Sequence, residues 1–227
     1  MTKERDLDRW TAVDRYIGNF FTPPDAALDQ VLIASEEAGL PAIAVSPPQG
    51  KMLHLLARSI GARRILEIGT LGGYSAIWLA RALPPGGKLV TLESDAKHAG
   101  VARANIAAAG LADQVDVLVG PAIETLPRLV AEQHQPFDFV FIDADKPSTA
   151  DYFVLALKLT RVGSIIVVDN VVRDGEVTNP KTTDPNALGI RRFNAVLAAE
   201  RRVSGTEIQT VGSKGYDGFA LALVVGR

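Results

Sequence analysis

At 227 residues and 47% hydrophobic content, the chain can bury a substantial core in one large domain, which excludes a disordered or fibrous protein. Its 24 Lys and Arg against 26 Asp and Glu leave a formal net charge of -2, so no global basic excess points to nucleic acid as a partner. The absence of cysteine excludes disulfides, iron–sulfur clusters, thiolate zinc sites and a cysteine nucleophile, and it fits a reducing, cytoplasmic setting.

Met1 to Arg9 alternates acids and bases and holds no secretory apolar run. The longest apolar run, Ser164 to Val168 with its flanks, is far short of the ~20 residues that span a bilayer. A soluble protein with no membrane partner is expected. Leu7, Trp10, Val13, Ile17, Phe20 and Phe21 recur at helical spacing, so the first twenty or so residues read as an amphipathic helix stopped near Pro23 and Pro24, its aromatic side packed first of all on the main domain, with a subunit interface or a substrate cover as the alternatives. A second helix spans Ala26 to Ala38, ending at Gly39 and Pro41, and a third Gln49 to Ser59.

From Arg64 onward strands and helices alternate. Strands are expected at Arg64 to Ile68, Lys88 to Leu92, Val115 to Val119, Phe137 to Ile142, Ser164 to Val168, Glu207 to Thr210 and Phe219 to Val225. Helices are expected at Tyr74 to Ala82, Ala96 to Ala109, Ile123 to Glu132, Ala150 to Thr160 and Asn186 to Glu200. The early strands are almost wholly apolar, as strands are when helices cover both faces of a parallel sheet. The last two are joined by Gly212 to Gly218, too short for a helical crossover, and are expected to pair antiparallel. The pattern is one α/β domain, residues 1–227, with an appended amino-terminal helical segment over 1–40. The polar, turn-rich stretch 171–189 reads as a mobile loop over a site.

In an open parallel sheet, ligands sit outside the carboxyl ends of the strands. Glu67 and Gly69 end the first strand, Glu93 the second, Asp143 and Asp145 the fourth, and Asp169 with Asn170 the fifth. Acids placed only for solubility would fall on helix faces instead. The turn Glu67-Ile68-Gly69-Thr70-Leu71-Gly72-Gly73-Tyr74-Ser75 lets a ligand approach the backbone ahead of a helix. Leu71 takes the middle glycine of a dinucleotide fingerprint, where a side chain crowds a pyrophosphate, and Glu67 would repel phosphate but can hold a cationic amine. Glu93, 24 residues beyond Gly69, is placed to accept hydrogen bonds from ribose hydroxyls.

LEIGTLGGYS, TLESD, FDFVFIDADK and IIVVDN, in this order, resemble the cation-dependent catechol and caffeoyl-CoA O-methyltransferases among the class I S-adenosylmethionine (SAM)-dependent methyltransferases, from about Asp25 to the carboxyl terminus. The resemblance implies a Rossmann-like fold: a mostly parallel seven-stranded sheet with an antiparallel carboxyl-terminal strand and extra amino-terminal helices. It implies SAM bound by Glu67, Gly69 and Thr70 at the methionine portion, with Ser75 at its carboxylate, Glu93 at the ribose, Ser94 and Ala122 flanking the adenine, and Val45 closing the pocket. At position 122 some relatives carry a polar residue, and Ala122 can contribute only backbone hydrogen bonds.

Asp143, Asp169 and Asn170 form an oxygen-only donor set suited to a hard cation, and they match the family's metal ligands. Mg²⁺ suits octahedral oxygen coordination with positions left for two substrate oxygens; Mn²⁺ or Ca²⁺ can substitute. Lys146, three residues after Asp143, can fold its amine back through a tight turn and matches the family's proposed base. Asp143 is thus implied in cofactor contact, metal binding and catalysis together, whereas Asp145 points away by alternation and reads as structural. The implied chemistry is removal of a phenolic proton from a vicinal aromatic diol by Lys146, followed by in-line attack of the oxyanion on the sulfonium methyl.

His54, His98 and His134 form no metal-binding spacing. Arg191-Arg192 and Arg201-Arg202 can attract an acidic substrate such as a CoA ester, although such pairs usually form a solvated face. Acceptor selection is better assigned to the 171–189 loop and the amino-terminal aromatics. Relatives suggest a homodimer. The alternatives are an NAD(P) oxidoreductase, opposed by Leu71 and Glu67, and a non-catalytic SAM-binding protein, opposed by the acid set and Lys146.

Overall fold

The computed structural model describes residues 3–132 and 135–226, with side chains from residue 5; His134 lies outside the described residues. Seven strands form one sheet: β1 (Arg64–Ile68), β2 (Lys88–Glu93), β3 (Val115–Val119), β4 (Phe137–Ile142), β5 (Thr160–Asp169), β6 (Val203–Gly212) and β7 (Gly215–Val224). Their order is β3-β2-β1-β4-β5-β7-β6; β1 to β5 are parallel, and β7 runs antiparallel between β5 and β6. The helices are α1 (Lys3–Phe21), α2 (Ala26–Glu37), α3 (Pro47–Ser59), α4 (Tyr74–Ala80), α5 (Ala96–Ala108), α6 (Ala122–Ala131), α7 (Thr149–Lys158) and α8 (Pro185–Ala199). Among the described residues, no helix is long and apolar enough to cross a membrane.

Side-chain alternation along the strands builds two cores. Leu66, Ile68, Val140, Ile142, Ile166 and Val168 pack with residues of α6, α7 and α8, while Ile65, Leu89, Phe139, Phe141 and Val167 pack with α2 to α5. Burying a side chain such as Phe139 or Phe141 is worth roughly 1.5–3 kcal/mol, which is why these central strands carry almost no polar residue. Exceptions are Glu67 in β1 and Thr91 in β2, both fully buried, with Glu93 at the end of β2 and Asp138 near the start of β4 also buried.

Local chemistry sets the helix starts. Asp25 caps α2 through the amides of Ala27 and Leu28, Ser46 caps α3 ahead of Pro47, and Asp184 caps α8 ahead of Pro185. The Pro47-Pro48 step therefore belongs to α3, two residues before the expected start.

Three sequence expectations need correction. The last two strands are longer than read, and a two-residue turn, Ser213-Lys214, joins them in place of a seven-residue connection. β6 is an edge strand exposed along nearly its whole length, so it lacks the apolar alternation that would have marked its ends. The 171–189 stretch is only partly loop: Val171 and Val172 are buried, Arg173–Thr178 forms tight 3-10 turns, and α8 has begun by Pro185. Arg173 and Asp174 adopt positive φ (55° and 56°), a conformation costly for these residues, and Asp217 secures it by accepting the amides of Val172 and Arg173. Finally, α1 packs along α3 and β6 but leaves Tyr16, Phe20 and Phe21 about two-thirds exposed, so its aromatic side is not taken up by the main domain.

Candidate active site

The carboxyl ends of β1, β2, β4 and β5 open onto a cavity of about 1180 Å³, roofed by α2 and the α2–α3 connection. Of the residues implied at the cofactor, Val45, Gly69, Thr70, Ser75, Glu93, Ser94, Ala122 and Asp143 all line it. Gly69 sits at φ +98°, and a Cβ there would fall on the carbonyl oxygen of Asp143. Its first requirement is therefore the close approach of β1 to β4, and the ligand-accessible backbone follows from it. Leu71 adopts positive φ (50°) without being glycine.

Glu93 braces this turn. Its Oε2 accepts the amides of Thr70 (3.2 Å) and Leu71 (2.8 Å), and its Oε1 that of Asp95 (3.0 Å). Each carboxylate oxygen accepts two bonds, so Oε2 is filled and one position on Oε1 remains for a ribose hydroxyl. His98, given no role from the sequence, lines the same wall with Nδ1 3.7 Å from Glu93 Oε1. His54 contacts the Trp78 carbonyl, away from the cavity.

Glu67 lies under the turn instead of on the cavity wall. Thr91 links it to Thr70: the Thr91 hydroxyl donates to Glu67 Oε2 at 2.6 Å and meets the Thr70 hydroxyl at 2.5 Å. Burial pushes the Glu67 carboxyl up to about 7, against the lowering pull of the Ser75 and Thr91 hydroxyls, and its Oε1 is buried without a partner. An unsatisfied acceptor below a cofactor turn suits a cationic group placed above it.

At the other end of the cavity, the turn after β4 returns the Lys146 amine to 2.9 Å from Asp143 Oδ1, and only 7% of Lys146 is exposed. Asp145 caps that turn through the Ser148 amide (3.1 Å), accepts the Tyr152 hydroxyl at 2.5 Å and lines the same cavity. The turn is seated on Gly189 of α8, where a Cβ would strike the Lys146 carbonyl. Gly189→Ala is expected to cost about 1–3 kcal/mol and to lower turnover more than SAM affinity, because it displaces Lys146; denaturant melts beside single-turnover kinetics check this.

Asp169 ends β5, buried behind the wall that Asp143 and Asn170 form. Its Oδ2 accepts the Gln49 side chain at 2.7 Å, its Oδ1 accepts the Asn170 amide at 2.9 Å, and Asn170 has positive φ (60°). Burial, and then the charge of Asp143, push the Asp169 carboxyl up to about 7. Among the described residues no group of three or more His, Cys, Asp or Glu is assembled to hold a metal, so a metal here needs the Asn170 carbonyl as its third donor. Two carboxylates that disfavour each other's charge beside an amide oxygen nevertheless match a hard divalent ion.

The sequence reading missed Gln49. It opens α3, 120 residues from the carboxylate it orients, and its one signal was a polar side chain in an otherwise Pro-started first turn. Of the arginine pairs, Arg192 is bound to Asp151, Arg202 to Glu200, and Arg191 to the Val177 and Asn179 carbonyls.

Residues 25–223 match the model of a family described as O-methyltransferase. The chain is 54% identical to a catechol O-methyltransferase of Niastella koreensis, over 94% of this chain and 96% of that one. It is 52% identical to a catechol O-methyltransferase of Mycobacterium tuberculosis, over 93% and 94%. The crystal structure of the O-methyltransferase TomG from Streptomyces achromogenes in complex with SAM superposes with a TM-score of 0.94 at 53% identity, covering 97% of this chain and 99% of that one.

Proposed function

Because this chain belongs to the O-methyltransferase family and is a SAM-dependent enzyme of it, we propose that its acceptor is a catechol-like vicinal diphenol and that its reaction needs a divalent cation. Mg²⁺ is the first choice on donor chemistry, held by Asp143, Asp169 and Asn170. The observation that carries the reading is the buried Lys146 amine, 2.9 Å from Asp143, in the cavity that the glycine turn and Glu93 enter from the opposite side. The nicotinamide alternative falls with the family assignment, and a retained lysine–carboxylate pair weighs against a non-catalytic binder.

When bound, SAM supplies an electrophilic sulfonium methyl and the cation supplies positive charge beside the acceptor oxygens. Lys146 takes the proton of the acceptor hydroxyl at Nζ, and Asp143 holds that nitrogen in place and stabilises the ammonium that results. Gln49 and the Asn170 amide fix the Asp169 carboxylate, so the donor set is oriented in advance. Glu93 holds the Thr70 and Leu71 amides, which sets the floor on which the donor lies. Val45 and Leu40 line the same cavity and would close it over a bound donor and acceptor, restricting their relative positions.

Chelation is expected to lower methyl transfer to a catechol at least about tenfold, with Mg²⁺ restoring it and SAM affinity by calorimetry little changed. Undiminished turnover in the stripped enzyme would remove the cation from the proposal.

A further inference from the structure

The acceptor end of the cavity carries two cations that the chemistry above does not use, Arg173 and Lys214. They come from neighbouring segments, Arg173 from the turn after β5 and Lys214 from the β6–β7 hairpin. Both are held in place. Asp217 accepts the amides of Val172 (2.9 Å), Arg173 (3.0 Å) and Gly218 (2.9 Å), which fixes the Arg173 backbone in its strained conformation. Asp14 of α1 accepts the Ser213 amide at 2.7 Å and so fixes the hairpin tip, while the exposed Lys214 side chain folds its amine onto the Ala44 carbonyl in the roof. The amino-terminal helix thus reaches the acceptor end through Asp14 and not through its aromatics.

The two cations are incompletely answered by the protein. Arg173 Nε is buried without a partner, and its guanidinium meets Asp217 Oδ2 only at 3.6 Å, while Asp217 Oδ1 serves three backbone amides. The other charges lining this end are spoken for: Asp143 by Lys146, and Asp145 by Tyr152 and Ser148. Burial lowers the Lys214 amine from its ordinary value, against the raising pull of the Asp143 and Asp169 carboxylates. Once a divalent ion neutralises that pair, the acceptor end is left with a net positive rim.

We infer that Arg173 and Lys214 form an anion subsite that selects vicinal diphenols bearing a carboxylate on the ring or on a short side chain, over neutral and cationic catechols. The inference rests on the catechol reading of the site. A carboxylate offers two acceptor oxygens to the partly exposed Arg173 guanidinium and the Lys214 ammonium, and hydrogen bonds between charged partners are the strong ones. A catecholamine would set its ammonium against both. A coenzyme A ester has lost the carboxylate at that position, and Arg191, Arg192 and Arg202, which could attract such an acidic ester, are engaged within the fold.

The test compares 3,4-dihydroxybenzoate, its methyl ester, dopamine and 3,4-dihydroxycinnamoyl-CoA on the Mg²⁺-loaded enzyme and on Lys214→Met and Arg173→Lys. The wild type is expected to favour the free acid over its ester by about tenfold in kcat/KM. Lys214→Met, at an exposed position, should lower the value for the acid by about tenfold and leave the ester within about twofold. Equal use of acid and ester, or an equal loss on both in the variant, would overturn the subsite, and so would a preference for the coenzyme A ester over the free acid. Calorimetric titration of the acid and ester into enzyme loaded with Mg²⁺ and S-adenosylhomocysteine reads the subsite without turnover. If no catechol is methylated, the proposed function fails by itself, while tighter binding of the acid than of the ester, lost in Lys214→Met, still upholds the subsite and equal binding rejects it.

Discussion

Lys146→Met is expected to lower kcat by about 10²–10⁴-fold at saturating catechol while SAM affinity stays within about twofold, because a positioned general base contributes on that scale and acts only in the chemical step. Methionine keeps most of the apolar stem, so the seat of the turn on Gly189 survives and packing loss is small. Asp143 is one-quarter exposed and can be solvated once its ion partner is gone, so the stability cost is ~1 kcal/mol. Stopped single-turnover methyl transfer, calorimetric SAM binding and a melt on the same preparation separate the outcomes. Unchanged turnover would remove Lys146 as the base. A fall in SAM affinity and stability that matches the fall in rate would make it a structural lysine.

That this lysine could be picked out of the sequence at all follows from sheet geometry. Period-2 alternation carries the side chain of β4's last residues to a definite face, and the strand end delivers Asp143 to the rim wherever the rest of the chain goes. Short sequence separation did the rest, since Lys146 is only three residues on and a tight turn must return it. The parallel strands and their order of acids were legible for the same reason: β1, β2, β4 and β5 are apolar runs whose polar residues mark their ends. What stayed hidden was nonlocal or exposed. Gln49 meets Asp169 across 120 residues, Asp14 meets Ser213 across 199, and no local pattern encodes either contact. β6 was read at less than half its length because an exposed edge strand carries no burial pattern, and the Arg173 turn looked mobile because the residue that fixes it, Asp217, lies on another strand. From the sequence Glu67 reads as a strand-end acid able to hold a cationic amine; its depth beneath Thr70 and Thr91 comes only with the three-dimensional packing.

Glu67 leads to the other large effect. A carboxyl pushed up to about 7 by burial binds a proton more tightly in the folded chain than in the unfolded one, where it titrates near 4.5. The native state therefore gains nothing from ionising it. Below about pH 4.5 both states are protonated and the group is neutral to stability; as pH rises from 4.5 toward 7 the unfolded chain ionises first, and stability falls by about 3 kcal/mol before levelling above the folded value. Glu67→Gln, which cannot ionise, is expected to escape that fall, so the ligand-free variant should be the more stable protein at pH 8 and lose its advantage by pH 4.5. Urea melts across this range measure the difference directly. Binding has the opposite sign. A cationic amino group above Oε1 favours the carboxylate, so SAM affinity is expected to rise about tenfold per pH unit below 7, flatten above it, and release a proton that buffers of different ionisation enthalpy reveal in calorimetry. In Glu67→Gln the affinity should be low and flat with pH, gaining stability at the expense of the cofactor. Affinity that climbs with pH equally in the variant would assign the proton to another group, and a variant no more stable than the wild type at pH 8 would show that Glu67 already has its counter-charge in the empty protein.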